Sequence, residues 1–440
     1  MSLIINLLFA IVIAVYAFKI YSDRNLKTVR HPILPNTACF LNGDLHFLIF
    51  CIATAMIFLG PLSLVKYGFW IVFMLYLVFT RFHLKIDAIV VCYILFLAWA
   101  LFSLTYSSVK FQGFMLIIKY SLPLLYLWLG YNAIQDTADF VFLLKKIVWI
   151  MVIYAFLIGG FSAKVFPWLY GALCFKSGGL FISYASLADF YSALFVVPLA
   201  LYAIFREKKW LVAAGWIALS TVLEVVRTGL GGIFLASSFF LFFYYKLKAV
   251  PWLLGLATLA VSIVFFVPAV HEKMFLDDSQ TISSISASTM DFDNIQSNGR
   301  EQIWEDNMYR FFTPNPLTGA GLGESMEYTK NNFTVKLIHN DYVQILCDMG
   351  LVGIGLFGLF FLVTILKVMI KTWRYTSSGL VKLSGAMALG SCAGTFFSMA
   401  FDNVISYTLQ CFVIPFVFIG IFLKAIDMQV QNGNNKFKSV

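Results

Sequence analysis

The chain has 440 residues, of which 61% are hydrophobic, 18% aromatic and only 12% charged. A water-soluble domain is usually about half apolar and about a quarter charged, so this composition excludes an ordinary soluble protein. It predicts a chain that crosses a membrane several times. The net charge of +9 indicates cytoplasmic loops rich in lysine and arginine rather than a nucleic-acid partner.

Thirteen apolar stretches are candidates for spans, since a bilayer core takes about 20 helical residues per crossing. They lie near residues 2–19, 45–60, 62–80, 86–105, 113–131, 147–163, 183–205, 210–226, 229–245, 250–268, 349–366, 380–400 and 404–423. The second and third are short and could form one broken element. The sequence therefore predicts an all-α polytopic membrane protein with about 12–13 transmembrane helices. The first stretch lacks a positively charged leader, so we expect a retained span rather than a removed signal peptide.

The positions of lysine and arginine predict the orientation of these spans. When alternate ends are grouped, 20 of the 31 basic residues fall on one side and five in the short loops of the other. Cytoplasmic loops carry the excess of basic residues, so the first side is predicted to be cytoplasmic. The chain then divides into an N-terminal transmembrane scaffold (1–182), transmembrane helices with Arg227 (183–268), a periplasmic loop (269–340), C-terminal transmembrane helices (341–424) and a cytoplasmic tail (425–440).

The loop 269–340 is the one long hydrophilic stretch, with five basic against ten acidic residues. Loops of this length in a compact domain are usually functional or disordered. Asn298 and Glu301 predict the N-cap and capping partner of a helix that continues to Phe312. The sequence TPNPLTGAGLG follows, and its prolines and glycines predict a tight turn. The loop is therefore predicted to be partly helical.

Arg227 lies where two predicted spans meet on the outer side. A charge at the centre of a bilayer costs at least about 2.5 kcal/mol, so charged residues near spans tend to mark a polar cavity or a pathway. Gly229, Gly231 and Gly232 follow it, and a glycine-rich helix start lets an anion approach free amides closely. A structural ion pair with Glu224 on the same helix face is the alternative.

Arg300 begins the predicted loop helix, where a cation opposes the helix dipole. A residue placed against this local preference indicates a ligand, and an exposed solvated charge is the alternative interpretation. Guanidinium groups bind phosphate oxygens in bidentate fashion and stay charged at any relevant pH. Arg227 and Arg300, both predicted outside, are together suited to a diphosphate.

His339 stands where the loop returns to the membrane, followed by Asn340 and Asp341. Histidine is the side chain best suited to proton transfer near neutral pH, or to hydrogen bonding with a developing charge. The three polar residues together would suit recognition of a hydroxyl group. The alternative is a structural histidine, which is the more frequent role of a lone histidine.

Several other chemistries are not supported by the sequence. It has no P-loop and no H-E-x-x-H motif, and its loop glycines do not open a strand-to-helix nucleotide unit. The seven cysteines are scattered without a C-x-x-C pair, so neither a disulfide framework nor a zinc site is indicated. The acidic pairs at 277–278 and 291–293 are interpreted as solvated residues rather than metal ligands. Four polar residues in predicted spans could line a cavity or pair with one another: Lys119, Asp189, Asp348 and Asp402.

The order of these motifs resembles a known family. After Arg227 come N-G-R-x-x-x-W (298–304), P-x-x-G-x-G-x-G (316–323), H-N-x-Y (339–342) and G-L-x-G (350–353). In this combination they resemble the O-antigen ligase and polymerase superfamily of bacterial inner membranes. The resemblance covers roughly residues 183–415, and each motif alone is weakly specific.

The resemblance implies a metal-independent, inverting glycosyltransferase of cell-surface polysaccharide or lipopolysaccharide biosynthesis. Its donor would be a glycan on a polyprenyl diphosphate, such as undecaprenyl diphosphate, used on the periplasmic face. Arg227 and Arg300 would hold the diphosphate, and His339 would activate the acceptor hydroxyl of a lipid A core or of another repeat unit. Asn340, Asp341 and Tyr342 would support the acceptor. The implied partners are donor, acceptor, lipid bilayer and polysaccharide-assembly proteins, with no nucleic acid and no cofactor.

The sequence is also consistent with other functions. A polyprenyl-linked glycan flippase or other transporter would explain the spans and an arginine cluster, but transporters are expected to show internal repeats, which we do not find. An assembly or scaffold component is a third alternative. Among transferases, ligase, polymerase and protein O-glycosylation enzyme share the motifs. The lack of an obvious additional soluble domain disfavours the last, and the sequence does not distinguish the other two.

Overall fold

The computed structural model of the protein describes residues 29–30, 38–39, 43–57, 63–80, 82–174, 181, 184–274, 299–334, 336–375 and 378–438. Most of these residues are helical. Helices suit apolar segments in lipid because every backbone N–H and C=O is satisfied within the segment. The predicted all-α polytopic class is confirmed. The first predicted span, residues 2–19, and the acidic pairs of the loop lie outside the described residues.

The first half of the chain begins with a two-stranded antiparallel ladder, β1 (Val29–Arg30) and β2 (Ala38–Cys39), in which Val29 lies opposite Cys39. The helices that follow are α1 (Gly43–Ala53), α2 (Ser63–Thr80), α3 (Ala88–Tyr106), α4 (Lys110–Ala133), α5 (Thr137–Leu157), α6 (Gly160–Val165), α7 (Pro167–Leu173), α8 (Tyr184–Leu194), α9 (Val196–Phe205) and α10 (Lys208–Glu224). Asp87 caps α3 through the Ile89 amide, and Asp136 caps α5 through the Asp139 amide.

The second half continues as helices joined by short turns. They are α11 (Arg227–Tyr245), α12 (Val250–Phe266), α13 (Pro268–Met274), α14 (Arg300–Asn307), α15 (Glu324–Asn332), α16 (Asp341–Arg374), α17 (Gly379–Phe401), α18 (Val404–Tyr407) and α19 (Leu409–Lys438). A 3₁₀ turn at Lys246–Ala249 separates α11 from α12. A π-helical turn at Met308–Phe312 extends α14.

Among the described residues, eight helical stretches are long and apolar enough to cross a membrane. They are Ala88–Tyr106, Lys110–Ala133, Thr137–Val165, Ser186–Phe205, Arg227–Phe266, Asp341–Arg374, Gly379–Phe401 and Leu409–Gln431. The 40-residue stretch Arg227–Phe266 contains two of the spans predicted from hydropathy, α11 and α12. Each predicted span after the first corresponds to a helix or a helix pair, and the protein is a multi-pass membrane protein.

Helices α17 and α19 lie at the centre of the molecule and are buried along most of their length. The most extensive helix contacts join α17 to α11 and α19 to α4. The second pair approaches closely at two glycines: a Cβ on Gly130 would lie 2.4 Å from the Val417 carbonyl oxygen, and one on Gly420 would lie 2.0 Å from that of Leu127. Small residues at such crossings allow van der Waals packing between membrane helices.

The described part of the long loop is ordered around a glycine turn, as the sequence predicted. Gly319, Gly321 and Gly323 all have positive φ, and the turn pairs with the start of α16, where the Ala320 amide donates to the Cys347 carbonyl at 2.9 Å. Helix α16 is interrupted there by Gly350, at φ 65°. This geometry places the loop against the N-terminal part of α16.

The loop helix begins one residue later than the sequence suggested. Gly299, at φ 74°, occupies the N-cap position of α14 without a side-chain capping bond, so the predicted cap at Asn298 is wrong. The left-handed glycine supplies the change of direction into the helix, which is why a capping side chain is not required. The prediction of a helix up to Phe312 is confirmed by α14 and its π-helical extension.

Candidate active site

Arg227 is presented by a strained turn between two helices. Helix α10 ends at Glu224, Val225 adopts the left-handed conformation with φ 53°, and Val226 is the extended N-cap residue of α11. A β-branched residue is rarely found at positive φ, because its Cβ crowds the backbone. Such strain is held by surrounding structure and is frequent at functional sites. The turn makes Arg227, half-buried, the first residue of α11.

The hydrogen bonds described for Glu224 are made with Gly160 and Ser220 and not with Arg227. Its Oε1 accepts hydrogen bonds of 3.1 Å from the Gly160 amide and from the Ser220 hydroxyl. These bonds tie the end of α10 to the start of α6. The burial of Glu224, which is 6% exposed, is thus explained without the predicted ion pair.

The glycines after Arg227 serve helix packing. A Cβ on Gly231 would lie 2.2 Å from the Phe397 ring, and one on Gly232 would lie 2.2 Å from the Ser192 hydroxyl. Gly229 is similarly close to Ala188. The space beside these glycines is therefore filled by α8 and α17, which explains the glycines through helix packing. The approach of an anion to the amides at the helix start stays a prediction.

Arg300 reaches from the loop to the C-terminal end of α17. It is the first residue of α14, and its Nη1 donates a hydrogen bond to the carbonyl oxygen of Phe401. Burial lowers the pKa of the Arg300 guanidinium, and the negative charge of Asp402 opposes this effect. Arg300 thus lies beside Asp402, the residue that follows its carbonyl partner.

His339 is paired with Asp402. Its Nδ1 lies 2.9 Å from Asp402 Oδ1, and the two side chains are only 18% and 11% exposed. A carboxylate on one ring nitrogen sets the tautomer and directs the other nitrogen, Nε2, to the opposite side of the ring. This is the arrangement by which a histidine accepts a proton from a hydroxyl group.

The backbone around His339 is held in an unusual conformation. His339 has φ 54°, its amide donates to Asn403 Oδ1, and the Trp304 indole donates to the Ile338 carbonyl at 2.7 Å. The tryptophan of the N-G-R-x-x-x-W motif therefore fixes the chain directly before the histidine. The loop helix and the histidine form one connected unit.

The three residues after His339 make structural hydrogen bonds. Asn340 caps α16 by accepting from the Tyr342 and Val343 amides, both at 3.0 Å. Asp341, fully buried, accepts from the Asn403 amide group at 3.3 Å and the Ile405 backbone amide at 3.2 Å. The Tyr342 hydroxyl donates to the Phe396 carbonyl at 2.7 Å. Their participation in acceptor binding stays a prediction.

The structure shows hydrogen-bond partners for the four polar residues whose roles the sequence did not decide. Lys119 Nζ donates to the Ser406 carbonyl at 2.7 Å, and the Thr408 hydroxyl donates to Asp189 at 3.3 Å. Asp348 accepts from the Gly323 and Ser325 amides at 2.9 and 3.0 Å. Together with Asp402, these side chains brace the glycine turn and residues 402–408.

The two arginines lie within electrostatic range of each other, and a third cation joins them. Lys273 Nζ, on α13, donates to the Val225 carbonyl at 2.8 Å. Burial lowers the pKa of the Lys273 ammonium, and the positive charges of Arg227, Arg300 and Lys164 lower it further. Charges of one sign gathered at one place favour the binding of an anion.

Sequence reasoning did not connect Lys273 or Asp402 with the predicted site residues. Lys273 was counted only among the loop charges, although it follows the end of a span on the predicted outer side. Asp402 lies 63 positions from His339 along the chain, and no local motif connects them. The structure therefore brings Arg227, Arg300 and His339 to one region and adds a carboxylate and an ammonium group to it.

No metal centre is apparent in the part of the chain that the structure describes. Within those residues, no three histidine, cysteine, aspartate or glutamate side chains are grouped so as to hold a metal ion. The site consists instead of cations on one side and a histidine–carboxylate pair on the other, joined by the consecutive residues Phe401 and Asp402. It can hold an anion beside a group that takes up a proton.

Part of the chain matches a known protein family. Residues 212–358 match the family model described as O-antigen ligase. This range contains Arg227, Lys273, Arg300 and His339. No curated protein matches the chain.

Proposed function

We propose that this protein, which residues 212–358 place in the O-antigen ligase and polymerase superfamily, transfers a glycan from a polyprenyl diphosphate to a sugar hydroxyl. The superfamily predicted from the motifs is confirmed by that match. The family implies a ligase or polymerase type of glycosyltransferase activity, with glycan and lipid-linked substrates in a membrane setting. The donor, the acceptor and the side of the membrane are our proposal.

The observation that carries the proposal is the connection between His339 and Arg300. His339 Nδ1 lies 2.9 Å from Asp402 Oδ1, and Arg300 donates to the carbonyl of the preceding residue, Phe401. Proton uptake and anion binding are thus adjacent. A transfer from a diphosphate needs both functions at the same place, because a proton leaves the acceptor as negative charge develops on the leaving group.

The donor would be held by Arg227 and Arg300 through its diphosphate. The planar guanidinium groups bind phosphate oxygens with two parallel hydrogen bonds each. They stabilise the charge that develops on these oxygens as the bond to the sugar breaks. The proposal assigns no metal and no cofactor, because the cationic side chains supply the required positive charge.

The chemical step would be a direct displacement at the anomeric carbon. The acceptor oxygen forms a bond to this carbon while the bond from the carbon to the phosphate oxygen breaks, and its electron pair stays with the diphosphate. His339 Nε2 accepts the hydroxyl proton, and Asp402 stabilises the resulting imidazolium. Attack opposite to the leaving group inverts the configuration of the anomeric carbon.

The proposed location is the periplasmic face of the bacterial inner membrane. The excess of basic residues at the opposite ends of the spans supports an outer position for the region of Arg227, Arg300 and His339. The acceptor is a lipid A core in a ligase or another repeat unit in a polymerase. Apolar surfaces of the transmembrane helices are available to a polyprenyl tail, as at the exposed Phe79 and Phe111.

A deletion strain tests the proposal and separates the two acceptors. Its lipopolysaccharide is separated on a gel, and the lipid-linked glycan pool is measured alongside. A rough core with a normal lipid-linked polymer pool indicates loss of a ligase, whereas a single-repeat band indicates loss of a polymerase. Unchanged polysaccharide and an unchanged pool, in a strain without a second copy of the gene, would contradict a transferase function.

A further inference from the structure

Asp189 is a fully buried carboxylate of α8, within the membrane-spanning stretch Ser186–Phe205. Its Oδ2 accepts a hydrogen bond of 3.3 Å from the Thr408 hydroxyl, whereas its Oδ1 has no hydrogen-bond partner among the residues that the structure describes. None of the ion pairs between described residues includes Asp189. A carboxylate in this setting needs a countercharge or a proton, because an uncompensated charge inside a membrane protein is costly.

The other buried carboxylates of this region are better compensated. Asp402 pairs with His339 at 2.9 Å, and Asp341 accepts hydrogen bonds from a side-chain amide and a backbone amide. Both carboxylates act electrostatically on Asp189. The region thus holds three acidic side chains, of which Asp189 has the fewest donors in the described part of the chain.

Three hydroxyl groups of α17 are unpartnered as well. Ser391, Thr395 and Ser398 are fully buried, and their hydroxyl oxygens make no hydrogen bond with any described residue. Their spacing of four and three residues places them on one face of the helix. Ser398 lies close enough to Asp189 to interact with its carboxylate.

Helices α8 and α17 are in close contact at this level of the molecule. A Cβ on Gly394, the residue before Thr395, would lie 2.1 Å from the carbonyl oxygen of Ser192, which is three residues after Asp189. Ser398 is also one turn before Asp402, whose amide donates to the Ser398 carbonyl at 2.8 Å. The unpartnered oxygens therefore lie along the part of α17 that leads to the His339–Asp402 pair.

Five other buried hydroxyls in described helices are satisfied in the usual way, by donating to the carbonyl oxygen four residues earlier. They belong to Ser192, Thr221, Ser237, Thr364 and Ser384. This bond satisfies a hydroxyl where no water is present. The three hydroxyls of α17 do not make it, so their oxygens are available to a ligand.

We propose that Asp189 and the hydroxyls of Thr395 and Ser398 bind a sodium ion next to the His339–Asp402 pair. The site offers hard oxygen ligands, and its one carboxylate balances a single positive charge, whereas divalent ions usually take several carboxylates. The C-terminal end of α17 adds the negative end of a helix dipole. Helix ends and unwound backbone coordinate sodium in membrane transporters by the same physics.

A proton on Asp189 would satisfy the site less well than a metal ion. A carboxyl O–H at Oδ1 would need an acceptor, and no described residue supplies one by hydrogen-bond geometry. The three hydroxyls would also keep unpartnered oxygens. The ion would touch neither donor nor acceptor, so the inference is independent of the proposed function and leaves the transfer step without a metal.

Binding of radioactive sodium to the purified full-length protein tests the proposal. We expect saturable binding of one ion per chain, competed by unlabelled NaCl. Because a ligand of the folded state stabilises it, the melting temperature should be higher in NaCl than in choline chloride of the same ionic strength. Asp189→Asn should abolish both the binding and the difference in melting temperature.

Matched variants control the experiment. Ser398→Ala removes one proposed ligand and should lower the sodium affinity by about 10-fold. Ser384→Ala removes a hydroxyl of the same helix that already donates to the Leu380 carbonyl at 2.7 Å, and it should leave the affinity unchanged. Asp427→Asn removes a carboxylate that pairs with Lys85 at 2.7 Å, and it should also bind sodium normally.

Two results would overturn the sodium site. Absence of binding, with equal melting temperatures in the two salts, would mean that Asp189 is a neutral carboxylic acid. Binding that persists in Asp189→Asn would place the ion elsewhere. If Asp189→Asn does not fold, equal sodium affinities of Ser398→Ala and Ser384→Ala would overturn the site in its place. No transfer reaction is measured, so each result leaves the proposed function unchanged.

Discussion

Asp402 acts on two of the proposed functional side chains at once. It pairs with His339 Nδ1 at 2.9 Å, and its negative charge opposes the lowering of the Arg300 pKa that burial causes. Its own position is fixed at the end of α17, where its amide donates to the Ser398 carbonyl at 2.8 Å. Asp402 therefore connects His339 to Arg300.

Replacing this carboxylate should affect turnover more than donor binding. In Asp402→Asn, an amide can stabilise neither the imidazolium nor the required tautomer, so we expect turnover to fall on the order of 10²-fold or more. Donor affinity should be retained or increase, because a negative charge leaves the cation group. Steady-state kinetics of the reconstituted protein measure both quantities.

Asp306→Asn is the matched control for this change. Asp306 is a carboxylate of the same loop, and it accepts a hydrogen bond of 2.8 Å from the Tyr328 hydroxyl. We place it outside the site and expect near wild-type turnover. If Asp402→Asn behaved like this control, Asp402 would be a structural neighbour of His339 only.

Arg227 and Arg300 differ from lysine in the geometry of their donors. Arg227→Lys and Arg300→Lys keep the charge but lose the planar fork that binds phosphate. We expect each to lower transfer by about 10- to 100-fold, since hydrogen bonds between charged groups are the stronger ones. Transfer assays on protein with normal membrane insertion test this.

The control for the arginine variants is Arg310→Lys. The Arg310 guanidinium stacks on the Tyr328 ring at 4.4 Å from its centre, away from the proposed donor site. It should transfer glycan normally. Wild-type activity in both the Arg227 and Arg300 variants would remove the diphosphate assignment from these side chains.

Single residues could be predicted as candidates where the neighbouring sequence set them apart. Arg227, Arg300 and His339 stand out in sequence because they are polar residues at membrane boundaries and within ordered motifs. Lys273 does not stand out, and Asp402 is marked only as a polar residue within a predicted span, since the partners of both lie far along the chain. The positive φ of Val225 and His339 was also beyond prediction, because tertiary contacts impose it against local preference.

At the scale of elements, the glycine turn packs against the ends of several helices. A Cβ on Gly321, at φ 115°, would lie 2.6 Å from Ser107 Cα, between α3 and α4. Glu324 follows the turn and accepts hydrogen bonds from the Ser107 hydroxyl and the Ser108 amide. The turn thus joins the loop to α3, α4 and the interrupted start of α16.

Gly321→Ala should weaken this junction. The methyl group meets backbone rather than a flexible side chain, and the conformation is strained for alanine, so we expect a loss of about 1–3 kcal/mol in stability. Thermal unfolding in detergent measures the change. Gly358→Ala is the control, because a Cβ there meets nothing within 4 Å. Equal melting temperatures for the two variants would show that the turn is not tightly packed.

Hydropathy predicted most elements because lipid imposes a simple rule of length and apolarity. It could not predict how the elements are interrupted. The break of α16 at Gly350 depends on the glycine turn, since a Cβ at Gly350 would lie 2.3 Å from the Leu317 carbonyl oxygen. The π-helical turn after α14 is likewise a product of packing in the folded loop.

On the scale of the whole molecule, ion pairs stand at the end opposite to the proposed site. Lys85 pairs with Asp427 at 2.7 Å, and Lys367 pairs with Asp87. Asp87 precedes α3 and Lys367 is near the end of α16, so these helices run antiparallel. The site at the start of α16 and these pairs therefore lie at opposite ends of the bundle.

This arrangement predicts the sidedness of two surface positions. In a protein cleared of its seven native cysteines, we expect Tyr309→Cys to react with an impermeant maleimide from the periplasm and Arg374→Cys only after the membrane is opened. The reason is the excess of basic residues at the Arg374 end. Both side chains are exposed on the protein surface, so a difference in labelling reports the side of the membrane and not burial. Labelling of position 374 alone on intact spheroplasts would reverse the orientation.

Transfer by purified His339→Ala, reconstituted with lipid-linked glycan and acceptor, tests the central claim most directly. If His339 takes up the acceptor proton, turnover should fall on the order of 10²-fold or more while donor affinity stays near that of the wild type. His339→Gln should retain some activity if orientation by a hydrogen bond contributes, and EDTA should not inhibit the wild type. Near wild-type transfer by His339→Ala would make His339 a structural residue, and inhibition by EDTA that Mg²⁺ reverses would contradict the metal-independent mechanism.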